Sequence, residues 1–282
     1  MQEQTPTDNK SLQLSESKVS RPVGRFREAF VLHLADTTLI LSQRNSEWCG
    51  HGPVLEQDIA ITNISLDLLG QSRNFYQYAA KLINETKNLK ASKVLPEAGR
   101  EADENTLAYL RKEREFKNLL LAEQPNGDWG QTMLRQYLFS QFQFLLFQQL
   151  QHHKDEQVAA IAAKSLKETT YHLRWSKEWV VRLGDGTNES HERMLKAIDE
   201  LWSYTGEMFM PADYEQEAAI DFSVLKEAWM EKVTAVFSAA TLPLPANTFM
   251  QTGGKQGIHT EHLGYILAEL QYIQRAYPNS EW

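Results

Sequence analysis

The chain has 282 residues and a net charge of −8, a balance that disfavours a nucleic-acid-binding protein, which needs a concentrated basic face. Its single cysteine, Cys49, excludes an intrachain disulfide and a cysteine-cage metal site. We expect a cytoplasmic protein, because no apolar run reaches the roughly 20 residues of a membrane span and the N-terminus lacks signal-peptide features.

Residues 1–24 are polar and lack apolar periodicity, which predicts a disordered lead-in before a single domain over 25–282. After residue 24 the apolar residues recur at helical spacing and strand signals are nearly absent. The expected helices cover about 24–44, 53–82, 101–123, 129–152, 155–183, 190–205, 222–240 and 259–276.

The helix over 129–152 is apolar on most of its circumference, which is typical of a central helix. Long helices with short connections, arranged around such a helix, predict an all-α fold: a helical bundle with extra helices at its C-terminal end.

Bundles of this size often hold a di-iron centre, whose ligands are one Glu from each of two helices and a Glu-x-x-His pair from each of two others. No histidine of this chain has an acid three residues before it. The near misses are Asp67, with Gly70 at the histidine position, and Glu168, with Tyr171 there and His172 one residue later. Glu168 and His172 are four residues apart, so we expect an ordinary hydrogen-bonded pair.

The central helix offers no carboxylate ligand. Between Trp129 and Asp155 there is no Asp or Glu, whereas glutamine occurs at 131, 136, 141, 143, 148, 149 and 151. An amide carries no negative charge to compensate iron ions. We therefore expect no occupied di-iron site here, and Asp36, Asp67, Glu168 and His172 are candidates for a vestigial one.

Asp36 lies on the first helix between Leu32 and Leu39, in an apolar surrounding. A buried acid needs a partner, and Arg44, Arg73 and His172 are all conceivable. The three residues also give this helix a second apolar side. Leu32, Asp36 and Leu39 are therefore our candidates for an interface with another subunit.

Three weaker signals remain. His259 and His262, three residues apart, could share a metal but lack a third ligand. Cys49 lies near His51, but no third group would orient them, so an inert thiol is favoured. The segment from Gly253 to Gly257 could bind an anion on free N–H groups, although it lacks the P-loop spacing.

Several blocks resemble the structural (C) subunits of the ring-1,2-phenylacetyl-CoA epoxidases, which are bacterial multicomponent oxygenases. These blocks are SEWCGHGP at 46–53, EQDIA at 56–60, LDLLGQ at 66–71, YHLRW at 171–175, RLGDGT at 182–187 and HTEHLGY at 259–265, continued by ELQY at 269–272 and RAYP at 275–278. They extend from the first helix to the C-terminus, and together they are specific.

The resemblance implies a ferritin-like bundle without its metal ligands, and it supplies no catalytic residue to carry over. It implies a homologous catalytic subunit that holds the di-iron centre and binds phenylacetyl-CoA. It further implies a small bridging subunit and a reductase with FAD and iron–sulfur groups, acting with O2 and NADPH in phenylacetate catabolism. We therefore expect a non-catalytic structural subunit that binds no cofactor itself.

Two alternatives stay open at this point. One is a catalytically active ferritin-like oxygenase with an unusual metal site near Asp36, Asp67, Glu168 and His172. The other is a helical module that binds an acyl-CoA through Lys255 and the glycine segment around it.

Overall fold

The computed structural model describes residues 23–87, 101–246, 248–278 and 280. Their helices are α1 (Val23–Ser46), α2 (Leu55–Lys87), α3 (Glu104–Tyr109), α4 (Leu120–Glu123), α5 (Trp129–Leu150), α6 (Glu156–Gly184), α7 (Asn188–Leu201), α8 (Phe222–Ala239), α9 (Glu261–Leu270) and α10 (Tyr272–Ala276). Within these ranges there is no β-strand, and the expected all-α ferritin-like bundle is confirmed. The predicted lead-in lies almost entirely outside the described residues.

Four long helices form the bundle. α1 packs along α2 and α5 along α6, while contacts between α2 and α6 join the two pairs. The central position predicted for α5 is confirmed, because most of its side chains are buried, including those of Met133, Tyr137 and Phe147. α7 and α8 cover the outer side of α5.

Local chemistry sets where the bundle helices begin and end. The Asp128 carboxylate accepts the Gln131 N–H at the start of α5, and the Asp155 carboxylate accepts two N–H groups at the start of α6. Such caps satisfy backbone donors that have no partner inside the helix. At the end of α6, a Cβ on Gly184 would lie only 2.5 Å from the Ala240 carbonyl oxygen, so the close approach to the end of α8 requires glycine there.

Four tryptophans pack at the end of the bundle where α1 leads into α2. The Trp129 ring lies edge-on to the rings of Trp48, Trp175 and Trp179, at centroid distances of 5.1, 6.0 and 5.9 Å. Edge-to-face pairs of this kind stabilise beyond the apolar area they bury. The cluster fastens the α1–α2 connection onto α5 and α6.

The single helix predicted over 101–123 is wrong. The segment contains α3, a 3₁₀ turn at Glu113–Glu115 and α4, joined by extended residues. The segment has many charged residues, yet Arg111 is fully buried and its guanidinium binds Asp36 on α1. Docking against the bundle therefore overrides the helix propensity of this segment.

The C-terminal residues form two short helices rather than the one predicted over 259–276, because the backbone turns at Gln271. Nowhere in the described ranges is a helix both long and apolar enough to cross a membrane.

Candidate functional site

Asp67 and His172 lie where α2 passes α6. The His172 Nε2 is 3.0 Å from the Asp67 Oδ2. The imidazole is fully buried, whereas the carboxylate side chain is 40% exposed. The His172 Nδ1 is buried with no hydrogen-bond partner among the described residues. This pair joins α2 to α6, and its Asp67 carboxylate is in contact with solvent.

Next to it, side chains from α2, α5 and α6 form a chain of hydrogen bonds that we call the amide layer: Gln71, Gln143, Glu168 and Thr169. The Gln71 amide donates to the Glu168 carboxylate at 2.9 Å. The Gln143 amide donates to the Gln71 side-chain oxygen at 3.0 Å. The Thr169 hydroxyl donates to the Ser165 carbonyl oxygen of its own helix at 2.9 Å and lies 3.3 Å from the Gln143 side-chain oxygen. Gln71, Gln143 and Thr169 are buried, so neutral groups fill the middle of the bundle.

These residues do not fit a di-iron centre. Glu168 and His172 do not pair with each other as predicted: Glu168 accepts from Gln71, and His172 contacts Asp67. In the described part of the chain, no three His, Cys, Asp or Glu residues converge as a metal ion would require. Two iron ions need several carboxylates at one place, and here the neighbouring groups are amides.

The fourth vestigial-site candidate, Asp36, belongs to a different network. Its carboxylate is fully buried, forms an ion pair with Arg111, and accepts hydrogen bonds from the Tyr76 hydroxyl at 2.6 Å and the Lys117 N–H at 2.8 Å. None of the three expected partners is correct: the partner is Arg111, in the segment that was predicted to be a single helix over 101–123. Burial lowers the pKa of the Arg111 guanidinium, but the charge and hydrogen bond of Asp36, with Tyr76 and Glu115, together raise it above its ordinary value.

Leu32 and Leu39 do not form a surface for another subunit. Both are 3% exposed and lie in this chain's own hydrophobic core. The second apolar side of α1 is real, but it is covered internally by the segments that follow α3 and by the 3₁₀ turn at Asp213–Glu215. The interface prediction for Leu32, Asp36 and Leu39 is therefore corrected.

A second buried carboxylate, Glu123 at the end of α4, holds the start of α9. It accepts from the Thr260 N–H and hydroxyl at 2.7 and 2.8 Å and from the Asn118 amide at 2.7 Å. His259 Nδ1 lies 2.9 Å from Glu123, and its Nε2 lies 3.0 Å from the Phe116 carbonyl oxygen. Both ring nitrogens are thus engaged, which leaves none for a metal shared with His262.

Burial alone lowers the pKa of His259, but the hydrogen bond and charge of Glu123, with the Phe116 carbonyl, raise it above its ordinary value. Both acceptors favour the imidazolium, which has two N–H donors. The pair is therefore a buried ion pair rather than a candidate ligand set.

The glycine segment does bind an anion, and the anion is the chain's own Glu207. The Gly253 and Lys255 N–H groups donate to one carboxylate oxygen at 2.8 and 3.3 Å, and the Leu120 N–H donates to the other at 2.9 Å. Lys255 is buried, and its ammonium group contacts the Glu215 carboxylate at 2.8 Å. The anion site suggested by the sequence is therefore filled, and Lys255 does not reach an external phosphate.

Together, these contacts form what we call the charge layer. Sequence reasoning singled out Asp36, Lys255 and His259 but gave them other partners, and it missed the remaining members. The members of this layer are Asp36, Arg111, Glu123, Glu207, Glu215, Lys255 and His259. They come from segments far apart in sequence, so no spacing rule could pair them. The sequence did contain an indication of the amide layer, because α5 has several glutamines and no Asp or Glu that could bind a metal. The arrangement is suited to holding segments together and offers no group poised for chemistry.

Comparison with known proteins agrees with the fold. The phenylacetic acid catabolic protein family matches over residues 25–282. The chain is also 47% identical over 259 residues to the C subunit of the 1,2-phenylacetyl-CoA epoxidase of Escherichia coli (strain K12), an alignment that covers 90% of this chain and 98% of that protein. The family match includes the bundle and the C-terminal helices. The chain therefore belongs to the phenylacetic acid catabolic protein family.

Proposed function

We propose that this chain is a non-catalytic structural subunit of a multicomponent phenylacetyl-CoA ring epoxidase. It pairs with a homologous subunit that holds the di-iron centre and binds the CoA thioester. A small bridging subunit and a reductase with FAD and iron–sulfur groups complete the system. The similarity to the C subunit of the bacterial epoxidase supports the proposal that this chain is part of such a complex.

The single observation that carries the non-catalytic role is the amide layer. Where a ferritin-like oxygenase needs convergent carboxylates, this chain has the buried amides of Gln71 and Gln143 hydrogen-bonded to each other, with Thr169 beside Gln143. Glutamine is a neutral ligand and cannot compensate the charge of two iron ions. The one acid of the layer, Glu168, already accepts from Gln71.

The competing functions have less support. An active oxygenase would need Asp36 and Asp67 near one metal, but Asp36 is committed to Arg111 and Tyr76. An acyl-CoA module would need Lys255 free for a phosphate, but its ammonium group is buried against Glu215.

A direct test removes the three vestigial-site candidates that lie where α2 passes α6, in the assembled epoxidase. We expect Asp67→Asn, Glu168→Gln and His172→Gln, combined in one variant, to leave turnover of phenylacetyl-CoA within about twofold of wild type, since none acts in the transition state. The control is an equivalent substitution of an iron ligand in the partner subunit, which should abolish turnover. Loss of turnover in the triple variant, with the complex still assembled and partner iron retained, would overturn the proposal.

A further inference from the structure

A cavity that we call the α1–α6 cavity lies between the start of α1, the connection from α5 to α6, and the residues that follow the 3₁₀ turn at Asp213–Glu215. Its volume is about 280 Å³, and it is half open to solvent. None of the residues that line it belongs to the amide layer or the charge layer. Small-molecule sites begin at roughly 300 Å³, so the cavity is of a size to hold a small ligand.

The buried part of this cavity is apolar and aromatic. Phe30, Tyr214 and Ala218 line it and are 3, 8 and 5% exposed. The His153 ring also lines the cavity, with its centroid 6.2 Å from that of Phe30 and the two planes tilted by 31°. Aromatic rings around a cavity favour a flat ring between them. Since a cavity of about 150 Å³ holds one benzene molecule, the volume here admits one ring with a short side chain.

The connection from α5 to α6 gives one wall of the cavity hydrogen-bond donors. The His153 Nδ1 accepts the Asp155 N–H at 3.0 Å. Burial lowers the pKa of His153, so the ring is neutral near pH 7 and carries its proton on Nε2. This Nε2 is buried and has no acceptor among the described residues. The next residue, Lys154, is exposed at the same wall and forms no ion pair in the described ranges.

The one carboxylate of this wall, Asp155, is already committed. One of its oxygens accepts two N–H groups at the start of α6. The other accepts the Tyr78 hydroxyl at 2.6 Å and forms an ion pair with Arg27. Because Arg27 and Asp155 neutralise each other, Lys154 leaves this wall with a positive charge.

The opposite wall carries a negative charge. Glu217 lines the cavity two residues after the 3₁₀ turn and is exposed. Over the described part of the chain it forms no ion pair, and it does not lie within 4.0 Å of the Lys154 ammonium group. The opening therefore has one unpaired cation and one unpaired anion, above an aromatic interior.

We infer that the α1–α6 cavity binds a small aromatic α-amino acid. The ring of the ligand lies against Phe30 and Tyr214, its carboxylate binds Lys154, and its ammonium group binds Glu217. Both charges of the opening are then paired, and charged hydrogen bonds of this kind are the stronger ones in proteins. The inference goes beyond the proposed function and does not depend on it.

Ligands with a single charge fit less well. An aromatic carboxylate would pair with Lys154 but would lie near Glu217 with no group to bind it. An aromatic amine would pair with Glu217 and leave Lys154 without an anion. A ligand with both charges is the one that satisfies both walls.

The test measures binding of L-phenylalanine to the full chain by titration calorimetry. Two analogues separate the charges: 3-phenylpropionate lacks the ammonium group, and phenethylamine lacks the carboxylate. We expect wild type to bind L-phenylalanine about tenfold more tightly than either analogue, because each analogue loses one charged hydrogen bond. L-phenylalanine should also raise the melting temperature of the chain, since a ligand that binds the folded state stabilises it.

Two variants assign the charges to their residues. Lys154→Gln should weaken binding of L-phenylalanine about tenfold and leave phenethylamine unaffected, whereas Glu217→Gln should weaken L-phenylalanine about tenfold and leave 3-phenylpropionate unaffected. Both side chains are exposed, so the fold does not depend on them. The matched controls are Lys164→Gln and Glu227→Gln, which change exposed residues away from the cavity and should bind as wild type does.

A third variant fills the cavity. Ala218→Leu places a larger apolar side chain where the ring of the ligand would lie, and it should abolish binding of L-phenylalanine. A cooperative thermal transition of the variant without ligand shows that it is folded. The Lys154 and Glu217 variants decide the test if it is not.

Three outcomes would overturn the inference. The first is no binding of L-phenylalanine at millimolar concentration. The second is binding that persists in folded Ala218→Leu, which would place the site elsewhere. The third is equal affinity for 3-phenylpropionate and L-phenylalanine with no effect of Glu217→Gln, which would make the cavity a site for aromatic carboxylates.

Discussion

The amide layer and the charge layer lie in the same chain but use their polar groups differently. The amide layer joins three long helices, α2, α5 and α6, through the neutral amides of Gln71 and Gln143 and a single carboxylate, Glu168. The charge layer joins α1 to segments that run outside the bundle, and its ion pairs are buried. The comparison shows that the buried ion pairs of the charge layer hold the additional segments against the bundle. They do not lie between α2, α5 and α6, where a ferritin-like metal centre would need charged ligands.

Burial explains why the two layers should respond differently to substitution. A buried ion pair that loses one member leaves an uncompensated charge, whereas a lost amide leaves only an unsatisfied neutral group. The charge layer should therefore dominate the stability of the chain. The amide layer should contribute less.

The largest effect is expected at Asp36. Asp36→Ala leaves Arg111 buried without its counter-charge and should lower the free energy of unfolding by about 3–5 kcal/mol. Urea denaturation measures this loss. The control is Arg73→Ala, whose side chain is 68% exposed and pairs with Glu104 at the surface. A loss at Asp36 no larger than in this control would remove the distinction between the layers.

An intermediate effect is expected at Gln143. Gln143→Ala removes the donor to the buried Gln71 side-chain oxygen, whereas the Thr169 hydroxyl keeps its acceptor at Ser165. The free energy of unfolding should fall by about 1–3 kcal/mol, the cost of leaving buried neutral groups unsatisfied. The same denaturation experiment checks it. A cost equal to that of Asp36→Ala would show that the two layers are equivalent.

The smallest effect depends on pH and concerns His259. Because its pKa is raised in the fold, its stabilising contribution is complete below the unfolded value of about 6.5 and is lost as pH rises through the folded value. The stability difference between wild type and His259→Gln should therefore narrow from about pH 5.5 to about pH 8.5.

A matched control for that series is His152→Gln, which removes an exposed histidine. Its stability relative to wild type should change little over the same pH range. A constant gap for His259→Gln would mean that its contact with Glu123 does not depend on the charge of the ring.

The long helices could be predicted from the sequence because hydrophobic periodicity is a local property of the chain. Periodicity placed α1, α2, α5 and α6 within a few residues of their observed ends, and the search for Glu-x-x-His needed only spacing along one helix. The partners of Asp36 could not be found in this way. Arg111 is 75 residues away, and its segment has a charge pattern that resembles a solvated helix.

The exposure of Leu32 and Leu39 was misjudged for the same reason. A helix with two apolar sides can cover one with another subunit or with a distant segment of its own chain. The local pattern of apolar residues does not distinguish burial by another subunit from burial by a distant segment of the same chain. On α2, Leu55 and Leu66 are exposed despite their apolar character.

The most direct test of the central claim is the iron content of this chain, expressed alone in iron-supplemented cells and measured by plasma mass spectrometry. We predict iron far below one atom per chain, because Gln71 and Gln143 stand where carboxylates would have to converge. Stoichiometric iron that is lost in the variants Asp67→Asn and Glu168→Gln would contradict the account. It would show that these helices hold a metal centre of their own.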